Sequence, residues 1–152
     1  MSERSIHDNN VYSYCILCES RRIVLHTEYS FPRDGATEYI DITFCDVMAH
    51  HFESVSQGNC LFGIDEVPVE KLIGDWAELF TRQKPFGWPA IQYNDPQELV
   101  TKLKQNGIKG YDISSSYGLT GWVLAGSMDV TERSAKFDTL IEMNDGKANR
   151  KN

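Results

Sequence analysis

The sequence predicts an α+β fold in which a largely antiparallel, curved β-sheet packs with two main helices. Strand-like runs occupy the first 64 residues, two helical stretches follow, and further strand-like runs come after them. Strands that are grouped ahead of helices, and do not alternate with them, are typical of an antiparallel α+β sheet. The length of 152 residues fits one domain. We expect this domain to span residues 1–145, ahead of a disordered tail at 146–152.

The first two predicted strands should form a hairpin. Val11 to Cys18 is rich in aromatic and branched residues, and Arg22 to Tyr29 alternates in polarity. A longer run, Tyr39 to Val55, then places the even-numbered residues from Ile40 to Phe44 on one apolar face. Asp46 interrupts this face. The pattern therefore predicts either one strand with a bulge near Asp46 or two strands that meet there.

Two helices are predicted, over residues 68–83 and 95–106. In the first, apolar residues recur at spacings of three and four, which builds one apolar stripe. In the second, Asp95 suits the N-cap, Pro96 suits the first helical position, and Gly107 suits a left-handed stop. These boundary residues make the second helix the best-defined element of the sequence.

The remaining segments complete a predicted sheet of six to seven strands. Short apolar runs at 60–64, 108–116 and 119–128 read as strands. Residues 131–143 also allow a short amphipathic helix, and the sequence leaves that choice open. The order of the strands in the sheet is open as well.

The charge of the chain favours a basic partner. The net charge is −7, and the three basic residues after Asp145 hide part of it: the first 146 residues hold 12 basic and 22 acidic residues, a net charge of −10. An acidic surface repels nucleic acid and anionic membranes and attracts basic proteins. No apolar run approaches the roughly 18 residues that span a bilayer. The start of the chain lacks the apolar segment of a signal peptide, so we expect a cytoplasmic protein.

Three histidines and one aspartate are weak candidates for a metal site. These candidates are His26, His50, His51 and Asp46. Adjacent residues on a strand point to opposite faces, so His50 and His51 cannot hold one ion together. We therefore assign no metal and no cofactor, and expect one histidine of the pair to be half-buried and the other exposed.

An enzyme that uses His26, Cys45, His50 and His51 remains an alternative. The sequence shows neither a nucleophile elbow nor a phosphate-binding loop to accompany these residues. The pair Cys15 and Cys18 has the spacing of a redox motif, but it lies in a strand-like run and has no second pair. No catalytic residue is assigned, and the cysteines are expected to be small buried hydrophobic residues.

Aromatic residues on loops are the candidate contacts for a protein partner. These candidates are Phe86, Trp88, Tyr93, Tyr117 and Trp122. Tryptophan and tyrosine often anchor protein interfaces. The competing interpretation is that Trp88 and Trp122 close the ends of a small core. A further alternative is a small-ligand pocket inside the curved sheet, lined by Phe44, Trp76 and Trp122.

Three segments carry a resemblance to known proteins: GNCLFGIDEVPVEKLI, KPFGWP and SSSYGLTGWVLAGSM. Together they resemble an uncharacterised family of small bacterial proteins, over roughly residues 37–130. Small acidic single-domain proteins of this kind are also similar to the immunity proteins that accompany bacterial toxins. The resemblance implies a module that neutralises a basic partner such as a toxin domain. It implies no catalytic residues and no oligomeric state.

Overall fold

A computed structural model describes residues 5–30 and 35–138 of the chain. These residues form eight antiparallel strands in one curved, unclosed sheet, together with three α-helices. The predicted α+β class is therefore confirmed, with slightly more strands than the six to seven predicted. The strands are β1 (Asn10–Leu17), β2 (Arg22–Tyr29), β3 (Glu38–Cys45), β4 (Ala49–Glu53), β5 (Cys60–Val67), β6 (Lys109–Tyr117), β7 (Thr120–Ala125) and β8 (Ser127–Arg133). The helices are α1 (Val69–Asp75), α2 (Ala77–Gln83) and α3 (Pro96–Gln105).

The sheet has the strand order β4-β7-β6-β5-β1-β2-β3-β8, and its two edges meet at one corner. β4 follows β3 across Asp46, whose φ of 53° is left-handed, and β8 follows β7 across Gly126. The Met48 N–H donates to the Leu124 carbonyl at 2.8 Å, and the Gly126 N–H donates to the Cys45 carbonyl at 2.9 Å. The interruption predicted at Asp46 is therefore a corner between two strands.

The pairing of β4 with β7 depends on a glycine at position 121. Gly121 lies opposite Phe52 and has a φ of 150°. A Cβ atom added there would lie 1.8 Å from the carbonyl oxygen of His51. Because atoms cannot approach so closely, any side chain at this position would push β4 away from the sheet.

Strand β7 separates two hydrophobic clusters. We call one side of the sheet the inner face: it holds Val123 and Ala125 together with buried residues of β1, β2, β3, β5 and β6. The other side, the outer face, holds Trp122 and Leu124, against which the three helices pack. All four of these β7 side chains are at most 1% exposed, so β7 is buried on both sides.

The helices differ from the prediction at one residue. The stretch predicted as one helix over 68–83 is divided at Trp76, whose φ of −113° and ψ of 23° are not helical. Gly74 precedes the break, and glycine is a poor residue for a helix interior. The break leaves Trp76 in contact with Trp122 and places Phe80 on the same ring, at centroid distances of 6.0 and 5.6 Å. The apolar spacing hid the break because both halves still face the same core.

The second helix has the boundaries that its capping residues predict. The Asp95 carboxylate accepts a hydrogen bond from the Glu98 N–H at 2.8 Å, and Gly107 has a left-handed φ of 72°. The Glu98 carboxylate in turn accepts hydrogen bonds from the main-chain and side-chain N–H groups of Asn94. None of the described helices is long and apolar enough to cross a membrane.

Residues 131–143, for which the sequence did not decide between strand and helix, are partly strand. Residues 131–133 belong to β8, and residues 134–138 are not helical. Residues 139–143 and the predicted tail at 146–152 lie outside the described residues. The strand predicted over 119–128 ends at Ala125, and the chain continues as β8 after Gly126.

Asn59 ties three parts of the sheet together from a buried position. Its side-chain oxygen accepts hydrogen bonds from the N–H groups of Leu119 and Ser56, at 2.8 and 3.0 Å. Its side-chain nitrogen donates to the carbonyls of Val11 and Ser56, at 3.0 and 2.8 Å. Both donors and both lone pairs of the amide are therefore used, and the turn between β6 and β7 is fixed to β1 and to the start of β5.

We expect Asn59→Ala to lower the free energy of unfolding by about 3 kcal/mol or more, because it removes four hydrogen bonds and leaves buried backbone groups without partners. Urea denaturation measures this change. Asn106→Ala is the matched control, since Asn106 is exposed and its side chain makes one hydrogen bond, to Lys102. Equal losses in the two variants would contradict the role given to Asn59.

Candidate functional site

The two histidines on β4 point to opposite sides of the sheet, as the alternation of a strand predicts, but both are half-buried, so the expectation of one exposed histidine is wrong. The His51 ring lies on the outer face, 4.7 Å from the Trp76 ring, and its Nε2 is 3.0 Å from the Glu53 carboxylate. The His50 ring lies 5.1 Å from that of Phe52, which packs against the inner cluster. Burial, and secondarily the neighbouring His51, lower the pKa of His50. The two rings therefore cannot bind one ion.

His26 belongs to a separate, buried polar cluster on the outer face. Its Nδ1 lies 2.8 Å from Asp41 Oδ1, and Asp41 Oδ2 accepts from Arg133 Nη1 at 3.1 Å. The Phe137 ring stacks on the imidazole with a centroid distance of 4.0 Å. The Phe137 N–H in turn donates to the Tyr12 hydroxyl. Asp41, expected to face away from the apolar side of its strand, does so, yet it is buried beside this histidine.

This cluster has the form of a base and its orienting carboxylate, but it is closed to substrate. His26 Nε2 is buried and has no hydrogen-bond partner, and Phe137 covers the ring. A general base must reach the proton that it abstracts. The arrangement therefore supports packing between Phe137 and the sheet, and it supplies no catalytic group as it stands.

The structure does not bring the metal candidates together. His26 pairs with Asp41, His51 with Glu53, and the exposed Asp46 lies 3.4 Å from Arg21. Among the described residues, no group of three or more His, Cys, Asp or Glu could hold a metal ion.

The cysteines give the enzyme alternative no further support. All four are free, and none is buried: Cys18 is exposed and the other three are half-buried, which corrects the expectation of buried residues. Cys45 lies four residues from Asp41 along β3, a distance of about 13 Å in an extended strand. It is therefore too far along the strand to react with the His26 pair.

Three of the five predicted contact residues belong to the outer core. Trp122 is 1% exposed, so it cannot contact a partner, and its assignment to the surface is wrong. Trp88 is half-buried and its ring lies 5.0 Å from that of Phe80 and 6.2 Å from that of Trp122. Tyr93 is also half-buried, with its hydroxyl 3.4 Å from the Phe80 carbonyl. The competing interpretation, that the tryptophans close the core, fits this packing.

Phe86 and Tyr117 are the two predicted contacts that lie at the surface. Their side chains are 81% and 62% exposed. They lie on different elements, because Phe86 follows α2 whereas Tyr117 ends β6 beside Gly58. A cleft of about 390 Å³ begins at the next residue, Gly87, and its charged lining is Lys84, Lys102 and Glu98, of which Glu98 pairs with Lys102 at 3.0 Å.

The predicted small-ligand pocket is not formed. Phe44 lies in the inner cluster, whereas Trp76 and Trp122 lie in the outer one, so the sheet separates these side chains. This alternative is therefore wrong for the three residues proposed.

An exposed phenylalanine that the sequence did not single out borders a different cleft. Phe62 on β5 is 61% exposed, and its ring packs edge-on against His7 at 5.1 Å. The cleft beside it has a volume of about 620 Å³ and lies between β5, the segment Ser5–His7 and β8. Its apolar lining is Ile6, Phe62, Ile64, Met128 and Val130. We call this feature the Phe62 cleft.

Acidic residues border the Phe62 cleft. Asp65, Asp129 and Glu132 line it, and no lysine or arginine among the described residues does. Val130, between two of these acids, is 40% exposed. The cleft therefore combines exposed apolar side chains with acidic residues. It lies apart from the loop aromatics that the sequence predicted as contacts.

The signal that could have pointed to this cleft was weak. Phe62 stands in the apolar run CLFGI and reads as a core residue. The register of β5 against β6 shifts between Leu61 and Gly63, which disturbs the alternation and leaves Phe62 outside the core. Gly63 inside the strand was the one available hint of such an irregularity.

Comparison with known proteins adds no relative. No protein-family description matches the chain, and neither the curated proteins nor the solved structures contain a match to it. The resemblance to small bacterial proteins and to immunity proteins stays a prediction.

We expect Trp122→Ala to lower the free energy of unfolding by about 3–5 kcal/mol, because it removes the ring that joins the helices to β7. Phe86→Ala should change it by less than about 0.5 kcal/mol, since the side chain is exposed. Urea denaturation of both variants measures the difference. A comparable loss in Phe86→Ala would show that the aromatic loop packs more tightly than described.

His50 should make stability depend on pH. Its pKa in the folded protein lies below the ordinary value of 6.5. At pH values near and below 6.5, the folded chain therefore binds fewer protons than the unfolded chain. The stability that neutral His50 contributes is present above pH 6.5 and is lost as the pH falls through the folded pKa. In His50→Gln, the decline of the unfolding free energy below pH 6.5 should be shallower. Urea denaturation at pH values above and below 6.5 measures this difference. The same dependence of unfolding free energy on pH in His50→Gln and in the unmodified chain would contradict the prediction.

Proposed function

We propose that the chain is a protein-binding module that recognises a basic protein partner through the Phe62 cleft. The observation that carries the proposal is the coincidence, in one cleft, of exposed Phe62 and Val130 with the carboxylates of Asp65, Asp129 and Glu132. An apolar centre inside a charged rim is the usual anatomy of a protein interface. The three acidic residues among the described lining favour a basic partner by charge complementarity.

The two parts of the cleft have different roles in binding. The net charge of −7 gives the whole chain an attractive field for a basic protein, and this field raises the rate of encounter. The apolar side chains act after contact, because burying them slows dissociation. Raising the salt concentration should therefore slow association more than it speeds dissociation.

The cleft is a better interface than the aromatic loop for a basic partner. Phe86 is more exposed than Phe62, but Lys84 and Lys102 lie on the same side of the molecule as its loop. A basic partner would meet like charges there, which are unfavourable. Phe62 and Phe86 are therefore two exposed phenylalanines whose neighbouring clefts differ in charge.

The partner class that fits both the cleft and the sequence resemblance is a basic toxin domain. In this proposal the chain acts in the cytoplasm as an immunity-type protein, and it neutralises the toxin by covering a basic surface. The cleft of about 620 Å³ takes a short segment of such a partner, with acidic groups outside it contacting the rest. A neighbouring gene for a large secreted protein with a variable C-terminal domain would supply the candidate.

We expect the immobilised full-length chain to retain a basic protein from a lysate of its native host. Phe62→Ser should lower the amount retained about tenfold or more, because it removes the apolar centre of the interface. The double variant Asp65→Lys with Asp129→Lys should abolish retention through like-charge repulsion. Quantitative mass spectrometry of the eluates measures both effects.

Two controls make this test specific. Phe86→Ser removes a phenylalanine that is more exposed than Phe62, and Glu19→Lys with Glu78→Lys makes the same charge change at two exposed acids outside the cleft. Both should retain the partner at the level of the unmodified chain. If no basic protein depends on Phe62, or if Phe86→Ser causes the larger loss, the proposal is wrong. Expression of the captured protein in cells with the unmodified chain and with Phe62→Ser then tests neutralisation: only the former should restore growth.

A further inference from the structure

A groove between the helices takes no part in the proposed function. It runs between α1 and α2 on one side and α3, with the turn before it, on the other. Its two parts have volumes of about 280 and 530 Å³, and both are lined by Ile73, Ala77 and Pro96, so they adjoin. We call them together the helix groove. The helix groove and the Phe62 cleft have no described lining residue in common, so the two sites are separate.

The interior of the helix groove is apolar. Its floor is formed by three residues that are at most 3% exposed: Ile73, Phe80 and Leu99. Gly74 and Ala77 lie on the wall of α1 and α2, and Val100 lies on the wall of α3. Gly74 has no side chain and Ala77 only a methyl group, so space remains between the helices. An apolar cleft with few polar groups is typical of a site for a small ligand.

One end of the helix groove carries an uncompensated positive charge. Lys84 lines the smaller part, and its Nζ lies 5.3 Å from the centre of the Tyr93 ring. Because the ring has no net charge, this cation–π contact does not neutralise the lysine. Within the described residues, Lys84 has no carboxylate partner. An anionic group at this end would therefore find a cation that is available for pairing.

The other charged residues along the helix groove form pairs. In the larger part, Lys104 pairs with Glu70. Beyond Lys84, where the next cleft begins, Glu98 pairs with Lys102 at 3.0 Å. Each pair is neutral as a whole. The groove therefore has a positive end at Lys84, an apolar interior and a neutral far end.

We propose that the helix groove binds a small amphiphile, an aliphatic tail that ends in an anionic group, as in a fatty acid. The anionic group pairs with Lys84 and accepts a hydrogen bond from the hydroxyl of Thr81, which lines the same part of the groove. The tail runs past Ala77 towards Gly74 and Val100, where its burial removes apolar surface from water. This site is additional to the Phe62 cleft and does not rest on the proposed function.

The test titrates the full-length chain with hexanoate, octanoate and decanoate and follows the NMR signals of Ala77 and Val100. Each methylene group that becomes buried should strengthen binding about two- to fourfold. Decyltrimethylammonium is the control ligand, because it has the same tail with a positive head. It should bind at these residues at least about fivefold more weakly than decanoate, since Lys84 repels it.

Two variants test the position of the ligand. Ala77→Leu should lower the affinity for decanoate at least about tenfold by filling the groove, and Lys84→Gln at least about fivefold by removing the charge. Ala135→Leu and Lys109→Gln make the same changes outside the groove and should bind decanoate as the unmodified chain does. All four residues are exposed, and urea denaturation checks that each variant remains folded.

Nuclear Overhauser effects test the direction of the tail. We expect contacts from the terminal methyl group of decanoate to Val100, and from the methylene beside its carboxylate to Tyr93. Absent binding, equal binding of decyltrimethylammonium, or undiminished binding by both Ala77→Leu and Lys84→Gln would overturn the proposal. Signals of Ala77 and Val100 that shift with protein concentration alone would identify a second copy as the occupant and overturn it as well. None of these results bears on a basic partner that depends on Phe62.

Discussion

The burial of β7 on both faces is the constraint on which the rest of the structure depends. Its backbone pairs with β4 and β6, while Val123 and Ala125 fill the inner cluster and Trp122 and Leu124 the outer one. Burying one large apolar side chain contributes about 1.5–3 kcal/mol. A shift of β7 by one residue would exchange the two faces and disrupt both clusters at once. The helices and β4 are therefore positioned by the same strand. Because β8 follows β7 directly, the position of β7 also determines where β8, one wall of the Phe62 cleft, lies.

Local chemistry explains how much of the fold could be predicted from the sequence. The capping of α3 by Asp95 and its stop at Gly107 depend on neighbours within a few residues, and both were predicted. The hairpin of β1 and β2 and the interruption at Asp46 follow from alternation along the chain. The break at Trp76 could not be predicted in this way. It depends on contacts with Trp122, which lies on a strand that comes far later in the sequence.

The candidate site was less predictable than the fold because no single segment contains it. Asp65 and Asp129 belong to strands that are distant in the sequence, and they line one cleft only because the sheet curves. The sequence also did not predict which aromatic side chains are exposed. Trp122 and Phe62 both belong to apolar strands, yet Trp122 is buried and Phe62 lies at the surface. The sequence predicted an acidic chain with aromatic contact residues on loops, and it did not single out Phe62. The exposure of Phe62 depends on the register of β5 against β6.

Gly121 has a consequence for how relatives of this protein could be recognised. The cleft residues are on the surface, so substitution can change their charges without unfolding the sheet. The contact between Gly121 and the His51 carbonyl admits no side chain at all. A lineage that keeps this fold can therefore lose every acid of the cleft and still retain glycine at this position, followed by a large residue where Trp122 fills the outer core. These two positions would still identify relatives of the protein after the residues that bind the partner had changed.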